Sequence, residues 1–397
     1  MNIVVQKYGG SSVATPEKIK RIAETVIKRK KAGDSMVVVV SAMGKSTDQL
    51  IALAKSVSEK PSKRELDALI STGEMVSSSL LSMAIQEMGH DAVSLNAYQI
   101  AIRTDGTYGK SIIQSIDDSV IKRHLESGKI VVVAGFQGIS ESYDLTTLGR
   151  GGSDTTAVAI AARLGGVCEI YTDVEGIYSL DPRLYSEAKK LEEISYEEMV
   201  ELSVLGAKVM HSRSVELAQK YNIPIYVGMS CSDTKGTYIR EVKNMENKPI
   251  TGIAVSDADV AVTLENINFD INLLADIFES IANKKINIDI ISQTAPLHGK
   301  VNLSFTIPAE DLDECISTVS KFAGQEDIIV DEDITKFSVV GIGMKTTSGV
   351  ASKIFKIFKE NSIQVKMITT SEIKITCAIK REDKSKAVEI IAKEFNL

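Results

Sequence analysis

From residue 259 onward the chain carries one pattern twice, at an offset of 77 residues that takes Ile277-Phe278 onto Ile354-Phe355, Ile286 onto Ile363 and Ile291 onto Ile368. In the first copy a strand from Val260 to Leu264 is followed by a helix from about Leu273 to Asn283 and a strand from Ile286 to Ile291. In the second, Phe337 to Val340 precedes a helix from Val350 to Asn361 and a strand from Ile363 to Ile368. Each copy continues with another strand (Val301 to Ile307; Ile373 to Ile379) and another helix (Asp311 to Phe322; Lys384 to Phe395). Helices and strands in this order pack as one layer on another, a βαββαβ unit. Copy one has a fourth strand, Asp327 to Val330, whereas copy two reaches Leu397 without one. A sheet short of its last strand presents unpaired backbone groups along an edge. An orphan strand, Ile250 to Val255, sits just ahead of copy one. We expect it to complete the sheet of copy two, which makes copy one an insertion within copy two.

The first 240 residues read differently. Ile3 to Tyr8 is a strand, and Thr15-Pro16 opens a helix, with Thr suited to the N-cap and Pro to the first helical position. Ile19, Ile22, Ala23, Val26 and Ile27 follow at helical spacing. Met36 to Val40 and Ile130 to Ala134 are apolar on both faces, as strands of a helix-covered parallel sheet are. Glu169 to Thr172 and Ile225 to Val227 extend the same sheet, and Gly165-Gly166 ends an apolar helix over Thr156 to Leu164. This alternation predicts an α/β sandwich. The Glu, Lys and Asn of residues 241–250 form a linker. The expected division is therefore 1–240, linker 241–250, copy one over 259–335, and copy two over 251–258 plus 336–397.

Composition removes several function classes. The net charge of −7 and pI near 5.4 argue against a nucleic-acid-binding face. The apolar runs are shorter than a bilayer span, and Met1 to Lys7 lacks the apolar core of a secretory leader. Cys168, Cys231, Cys315 and Cys377 are far apart, without CxxC spacing, so neither a zinc site nor a disulfide framework is expected. These features predict a cytoplasmic protein with no membrane partner.

Chemistry gathers at glycine-rich turns. Lys7-Tyr8-Gly9-Gly10-Ser11-Ser12 brings a lysine and two glycines to a helix start, an arrangement suited to an anion or to a plain βα turn. Leu148-Gly149-Arg150-Gly151-Gly152-Ser153-Asp154 repeats the idea with an arginine, which can fork onto a carboxylate or phosphate. Asp154 there is either a helix cap or a functional acid. Tyr171-Thr172-Asp173 follows a strand, at the carboxyl end where α/β sheets bind ligands. Ser41-Ala42-Met43-Gly44 and Ser71-Thr72-Gly73-Glu74 are, taken singly, polar loops or helix caps.

Taken in order, Lys-Tyr-Gly-Gly-Ser-Ser, Ser-Ala-Met-Gly, Ser-Thr-Gly-Glu, Leu-Gly-Arg-Gly-Gly-Ser-Asp-Thr-Thr and Tyr-Thr-Asp-Val-Glu-Gly-Ile-Tyr resemble the aspartokinase family over the whole chain. The resemblance implies an amino-acid-kinase-type α/β sandwich followed by two ferredoxin-like ACT domains. It implies transfer of the γ-phosphoryl of ATP, with Mg²⁺, to the β-carboxylate of L-aspartate, the first step of lysine, threonine and methionine (diaminopimelate) biosynthesis. By that resemblance Lys7 and Asp154 are catalytic. Lys7, Gly9, Gly10, Thr172, Asp173, Tyr178, Asp181, Arg183 and Lys208 bind ATP, the two glycines through their N–H groups. Ser41, Thr47, Glu74, Arg150 and Asp154 bind aspartate, with Arg150 on the α-carboxylate and Glu74 on the ammonium. No protein ligand is expected for the metal, since Mg²⁺ keeps much of its water. Asp289, Gln293, Ser371 and Glu372 match effector-contacting positions, implying feedback by lysine or threonine, and the ACT pair implies a homodimer or larger homo-oligomer. Where the family has a Pro-Gly turn, this chain has Asp270-Ile271-Asn272, in which Asn272 is the residue able to take a left-handed backbone. His211 is expected to be structural, because a carboxylate acceptor is already ionised and requires no base. The alternatives are a kinase of another amino-acid carboxylate and a catalytically weak ACT sensor. Met245, in the linker, stands where an internal start for a separate regulatory subunit would fall.

Overall fold

The computed structural model describes residues 2–207, 209–242 and 248–397. The chain forms two compact units. The first comprises Met1–Ile177, Lys190–Val204 and Lys208–Lys243. The second comprises Tyr178–Lys189, Leu205–Ala207 and Asn244–Leu397.

An 8-stranded sheet organises the first unit, in the order Glu193–Ile194, Thr237–Ile239, Ile225–Met229, Val167–Thr172, Ile3–Tyr8, Ser35–Val40, Ile130–Ala134, Ala92–Leu95. All its pairings are parallel except that of Ile225–Met229 with Thr237–Ile239. Every residue of Ser35–Val40 and of Ile130–Ala134 is buried, which is why those stretches show no polar alternation. Helix Pro16–Lys31 starts as its sequence demands. The Thr15 side chain accepts from Lys18 N, Pro16 stands at the first helical position, and Ile19, Ile22, Ala23, Val26 and Ile27 are buried. A Thr cap of this kind contributes about 1 kcal/mol. Those side chains share a core with Val4, Tyr8, Met36, Val38, Leu81 and Ile85. The apolar helix before Gly165 begins at Gly152, four residues earlier than expected. A small second sheet, in the order Ile113–Ser115, Arg103–Thr104, Gln137–Ile139, Leu145–Thr147, lies in the same unit. Among the described residues, the helical run Lys63–Glu87 matches a bilayer span in length and apolarity, where the sequence reading expected none. Half of that window is buried in the protein, and it carries the buried Glu74, Ser77 and Ser78.

The second unit holds two 4-stranded sheets of equivalent order. One runs Ile291–Gln293, Lys300–Pro308, Asp259–Asn268, Ile328–Asp331, under helices Ile271–Asn283 and Leu312–Val319. The other runs Gly252–Ser256, Thr335–Val340, Lys374–Ile379, Val365–Thr370, under Val350–Glu360 and Lys384–Phe395. Gly252–Ser256 pairs antiparallel with Thr335–Val340, Ile253 opposite Val339. Residues 178–189 join this unit because Leu180 is buried with Ile253, Phe337 and Phe358, and Ile253 N donates to Ser179 O at 2.7 Å. Two local expectations are corrected. Of the strand expected over 286–291 only Ile291 enters the ladder, which runs on to Gln293, because Ile286 and Ile290 turn into separate cores while Asn287 is exposed and Asp289 pairs with Lys336. The left-handed residue near the start of helix Ile271–Asn283 is Asn266 (φ 54°), not Asn272. Asp270 is the N-cap there, and its side chain accepts from Asn272 N.

Candidate active site

Strand Ile3–Tyr8 lies between Ser35–Val40 and Val167–Thr172, and the three carboxyl ends emerge together. Lys7 Nζ is 2.6 Å from Asp154 Oδ1, and each side chain retains 11 % exposure. Asp154 is therefore not the helix cap; Gly151 holds that position with a left-handed backbone. Placed in the first turn of Gly152–Leu164, the acid also lies where a helix favours negative charge. Gly9 N donates to Tyr171 O at 3.2 Å. Its amide is engaged by the neighbouring strand. A Cβ on Gly9 would make only ordinary contact, 3.5 Å from Lys7 Nζ. Gly10 allows a tighter approach: a Cβ would fall 2.8 Å from Ala42 O, and Gly44 N donates to Gly10 O at 3.0 Å. This contact draws the Lys7 turn against the Ser41–Gly44 turn.

Glu74 meets the same turn from the other side. Its Oε1 accepts from Ala42 N at 3.0 Å, and Ser77 Oγ donates to Ser41 O at 2.7 Å. Gly73 permits the contact, because a Cβ there would meet Ala42 Cβ at 2.8 Å. Glu74 is 3 % exposed, and its Oε2 is buried with no hydrogen-bond partner. Burial pushes this carboxyl up to about 7, and the Ala42 N–H offsets only part of that. A buried carboxylate oxygen without a donor is what an ammonium group satisfies.

The turn bearing Arg150 is held from three sides. Gly149 and Gly151 are left-handed, at φ 74° and 70°. A Cβ on Gly151 would lie 2.3 Å from His211 Cβ, so His211 packs directly on the turn. Burial pushes the His211 imidazole down, and the neighbouring Arg213 adds to this. The sequence reading expects His211 to be structural. Arg213 donates to Leu148 O at 2.8 Å and Ser111 O at 2.9 Å. Asp67 accepts from Thr147 N, Thr147 Oγ1 and Gly109 N. Neither Arg213 nor Asp67 was picked out from the sequence. The signal for Asp67 was an acid inside the apolar run Leu66-Asp67-Ala68-Leu69, seven residues before Glu74. Arg213 carried no comparable signal.

These contacts bring together Lys7, Gly9, Gly10, Ser41, Glu74 and Asp154. Thr47 lies in the first turn of helix Ser46–Val57, and Arg150 is exposed on its turn. Thr172 Oγ1 donates to Asp173 Oδ1 at 3.1 Å at the end of the third strand. Tyr178, Asp181 and Arg183 belong to the second unit, where Arg183 forks onto Asp181 through Nε and Nη2. That pair holds Asp181 below the usual carboxylate range. Lys208 and Met245 lie outside the described residues. Of the expected effector positions, Asp289 is ion-paired at 2.7 Å with Lys336, which also reaches Asp259 at 3.0 Å. Gln293, Ser371 and Glu372 are exposed, on the neighbouring strands Ile291–Gln293 and Val365–Thr370 or just after them. Among the described residues, no group of three or more His, Cys, Asp or Glu side chains is arranged to hold a metal ion.

Residues 2–228 match the amino acid kinase family, and residues 265–321 and 337–395 match the ACT domain. The chain is 46 % identical to aspartokinase 2 of Bacillus subtilis, over 100 % of this chain and 98 % of that one. It is 45 % identical to the aspartokinase of Geobacillus stearothermophilus with the same coverage. Its fold is similar to E. coli aspartokinase III solved with aspartate and ADP, with TM-score 0.83, 24 % identity, and 99 % of each chain covered. The aspartate kinase of Synechocystis matches at 38 % identity and TM-score 0.57, covering 100 % of this chain and 69 % of that one.

Proposed function

The chain belongs to the aspartokinase family, and from that premise we propose that it transfers the γ-phosphoryl group of ATP to the β-carboxylate of L-aspartate, giving 4-phospho-L-aspartate. The observation that carries this reading is the 2.6 Å Lys7–Asp154 pair together with the buried Glu74 carboxylate, whose Oε2 has no donor. Phosphoryl transfer asks the protein chiefly for positioning and for positive charge near the moving group. Lys7 supplies that charge, and Asp154 holds the ammonium in place. Glu74 takes the α-ammonium of aspartate and Arg150 its α-carboxylate, while Ser41 and Thr47 flank the reacting carboxylate. That carboxylate is ionised at neutral pH, so no residue has to deprotonate it.

Thr172 and Asp173, at the end of the third strand, contribute to the nucleotide site. Mg²⁺ neutralises phosphate charge when bound. An ion of this kind keeps much of its water and is held largely by phosphate oxygens. The domain reading is a kinase domain over 1–240, a linker over 241–250, and ACT domain one (259–335) inserted into ACT domain two (251–258 plus 336–397). Pairing of Gly252–Ser256 with Thr335–Val340 supports the insertion. We read the enzyme as cytoplasmic and homo-oligomeric. In this reading it opens the diaminopimelate pathway and is restrained by lysine or threonine at Asp289, Gln293, Ser371 and Glu372.

The test is a hydroxamate assay of the purified chain with MgATP and either aspartate or glutamate, with and without lysine and threonine. Aspartate-dependent acyl phosphate suppressed by an amino acid is the expected result. A preference for glutamate moves the acceptor assignment, and no acyl phosphate with either refutes the kinase reading. Activity indifferent to amino acids refutes the effector assignment alone.

A further inference from the structure

One buried carboxylate joins the two parts of the first unit that carry the α-amino-acid grip. Asp67 is 1 % exposed, on helix Lys63–Ile70. Its Oδ2 accepts from Gly109 N and Thr147 N at 2.8 Å each, and its Oδ1 accepts from Thr147 Oγ1 at 2.9 Å. On one side, its helix passes through Ser71 into Thr72–Glu87, the helix that presents Glu74. On the other, Thr147 ends strand Leu145–Thr147, just ahead of Gly149, Arg150 and the helix bearing Asp154. Glu74 and Arg150 therefore stand on separate elements, and Asp67 binds one to the other.

An ionised carboxyl has acceptors only, and three donors converge on this one, so it serves geometry rather than chemistry. Gly149 adds to the precision required, since a Cβ there would lie 2.9 Å from Gly109 O, the residue whose amide Asp67 holds. The turn cannot slide along its neighbour without breaking these bonds. Misplacing a substrate-positioning group by as little as 1 Å can reduce rate by about a hundredfold.

Resting on the reading of Glu74 and Arg150 given above, we propose that Asp67 is a positioning residue for aspartate, fixing the separation between the carboxylate that takes the ammonium and the arginine that takes the α-carboxylate. It acts through Arg150 and touches no substrate.

The experiment is steady-state kinetics on the full chain, comparing wild type, Asp67→Asn, Arg150→Ala and the double variant. Asn keeps one oxygen for the Gly109 and Thr147 N–H groups, removes the charge, and replaces the acceptor facing Thr147 Oγ1 with an N–H₂ donor, so that bond must reverse. Asp67→Asn is expected to raise the aspartate KM about tenfold and to leave the ATP KM within about twofold, because only one substrate's grip is displaced. In the Arg150→Ala background the same substitution is expected to add little, the non-additivity that marks action through a shared group. Equal rises in both KM values, a fall in kcat alone, or full additivity with Arg150→Ala would make Asp67 merely structural and overturn the proposal. Should Asp67→Asn not fold, Thr147→Val removes only the Oγ1 donor. A smaller rise confined to the aspartate KM supports the proposal, and an unchanged KM overturns it. An unchanged aspartate KM in both Arg150→Ala and Glu74→Gln would instead remove the premise. That failure is visible in those variants without reference to Asp67.

Discussion

Replacing Glu74 with Gln should make the ligand-free protein relatively more stable in alkaline solution while weakening its hold on aspartate. Glu74 is almost wholly buried, its Oε2 has no donor, and burial moves its carboxyl from the ordinary 4.5 to about 7. Below pH 4.5 the group is neutral folded or unfolded, and burial carries no electrostatic penalty. Between 4.5 and 7 the unfolded chain ionises while the folded one keeps its proton, so stability falls as pH rises. Above 7 both are ionised and the penalty is constant, at about 3 kcal/mol in order of magnitude. Gln keeps the acceptor for Ala42 N, and its amide nitrogen takes the place of Oε2 at a desolvation cost that does not change with pH. The signal is therefore the change in the stability difference between pH 5 and pH 8, expected to be most of that 3 kcal/mol in favour of the variant. Urea unfolding of both proteins at the two pH values measures it. A difference equal at both would show that Glu74 is not held as a strained buried carboxyl, and the ammonium-site argument would lose its physical basis. In the same variant the aspartate KM should rise at least about tenfold, as loss of a charge-assisted bond implies; an unchanged KM would place the ammonium elsewhere.

Lys7→Ala should cut kcat by about a thousandfold, the scale of removing one group that stabilises developing charge; a near-normal rate with a native circular dichroism spectrum would refute its role. Gly151→Ala should destabilise the first unit by about 2 kcal/mol or more, because φ is 70° and the new Cβ falls 2.3 Å from His211 Cβ. Thermal unfolding would show it, with partial recovery in Gly151→Ala/His211→Gly, and a melting temperature unchanged by Gly151→Ala would contradict the packing described. Lys336→Met strands Asp259 and Asp289 without their shared cation. It should lower the stability of the second unit by about 2 kcal/mol, less than a fully buried pair because Asp289 is partly open to solvent. Unfolding midpoints at pH 7 would test this, and no change would mean the two pairs contribute nothing.

Much of the fold could be read directly. The 77-residue repeat marked two equivalent modules, and the runs at Met36 and Ile130 marked buried parallel strands, because backbone period and burial on both faces are written in local composition. Boundaries were less legible. Of the strand expected over 286–291 only Ile291 is in the ladder, which runs on to Gln293, since pairing depends on what lies alongside and not on apolarity. Of the site, the glycine turns with Lys7, Arg150 and Asp154 stood out as a pattern. That the Gly9 amide bonds Tyr171, far along the chain, is written in nothing local.

The sequence by itself determined which residues could bear charge, where the chain must turn and which faces must be buried, because each follows from side-chain chemistry and spacing within a few residues. Only the tertiary structure decided which charges meet. Lys7 finds Asp154 across 147 positions, and Asp67 finds Thr147 across 80. It also left Glu74 buried with an unanswered oxygen. Such pairings depend on how helices and strands distant in the chain pack against one another, and no short stretch of chain records that packing.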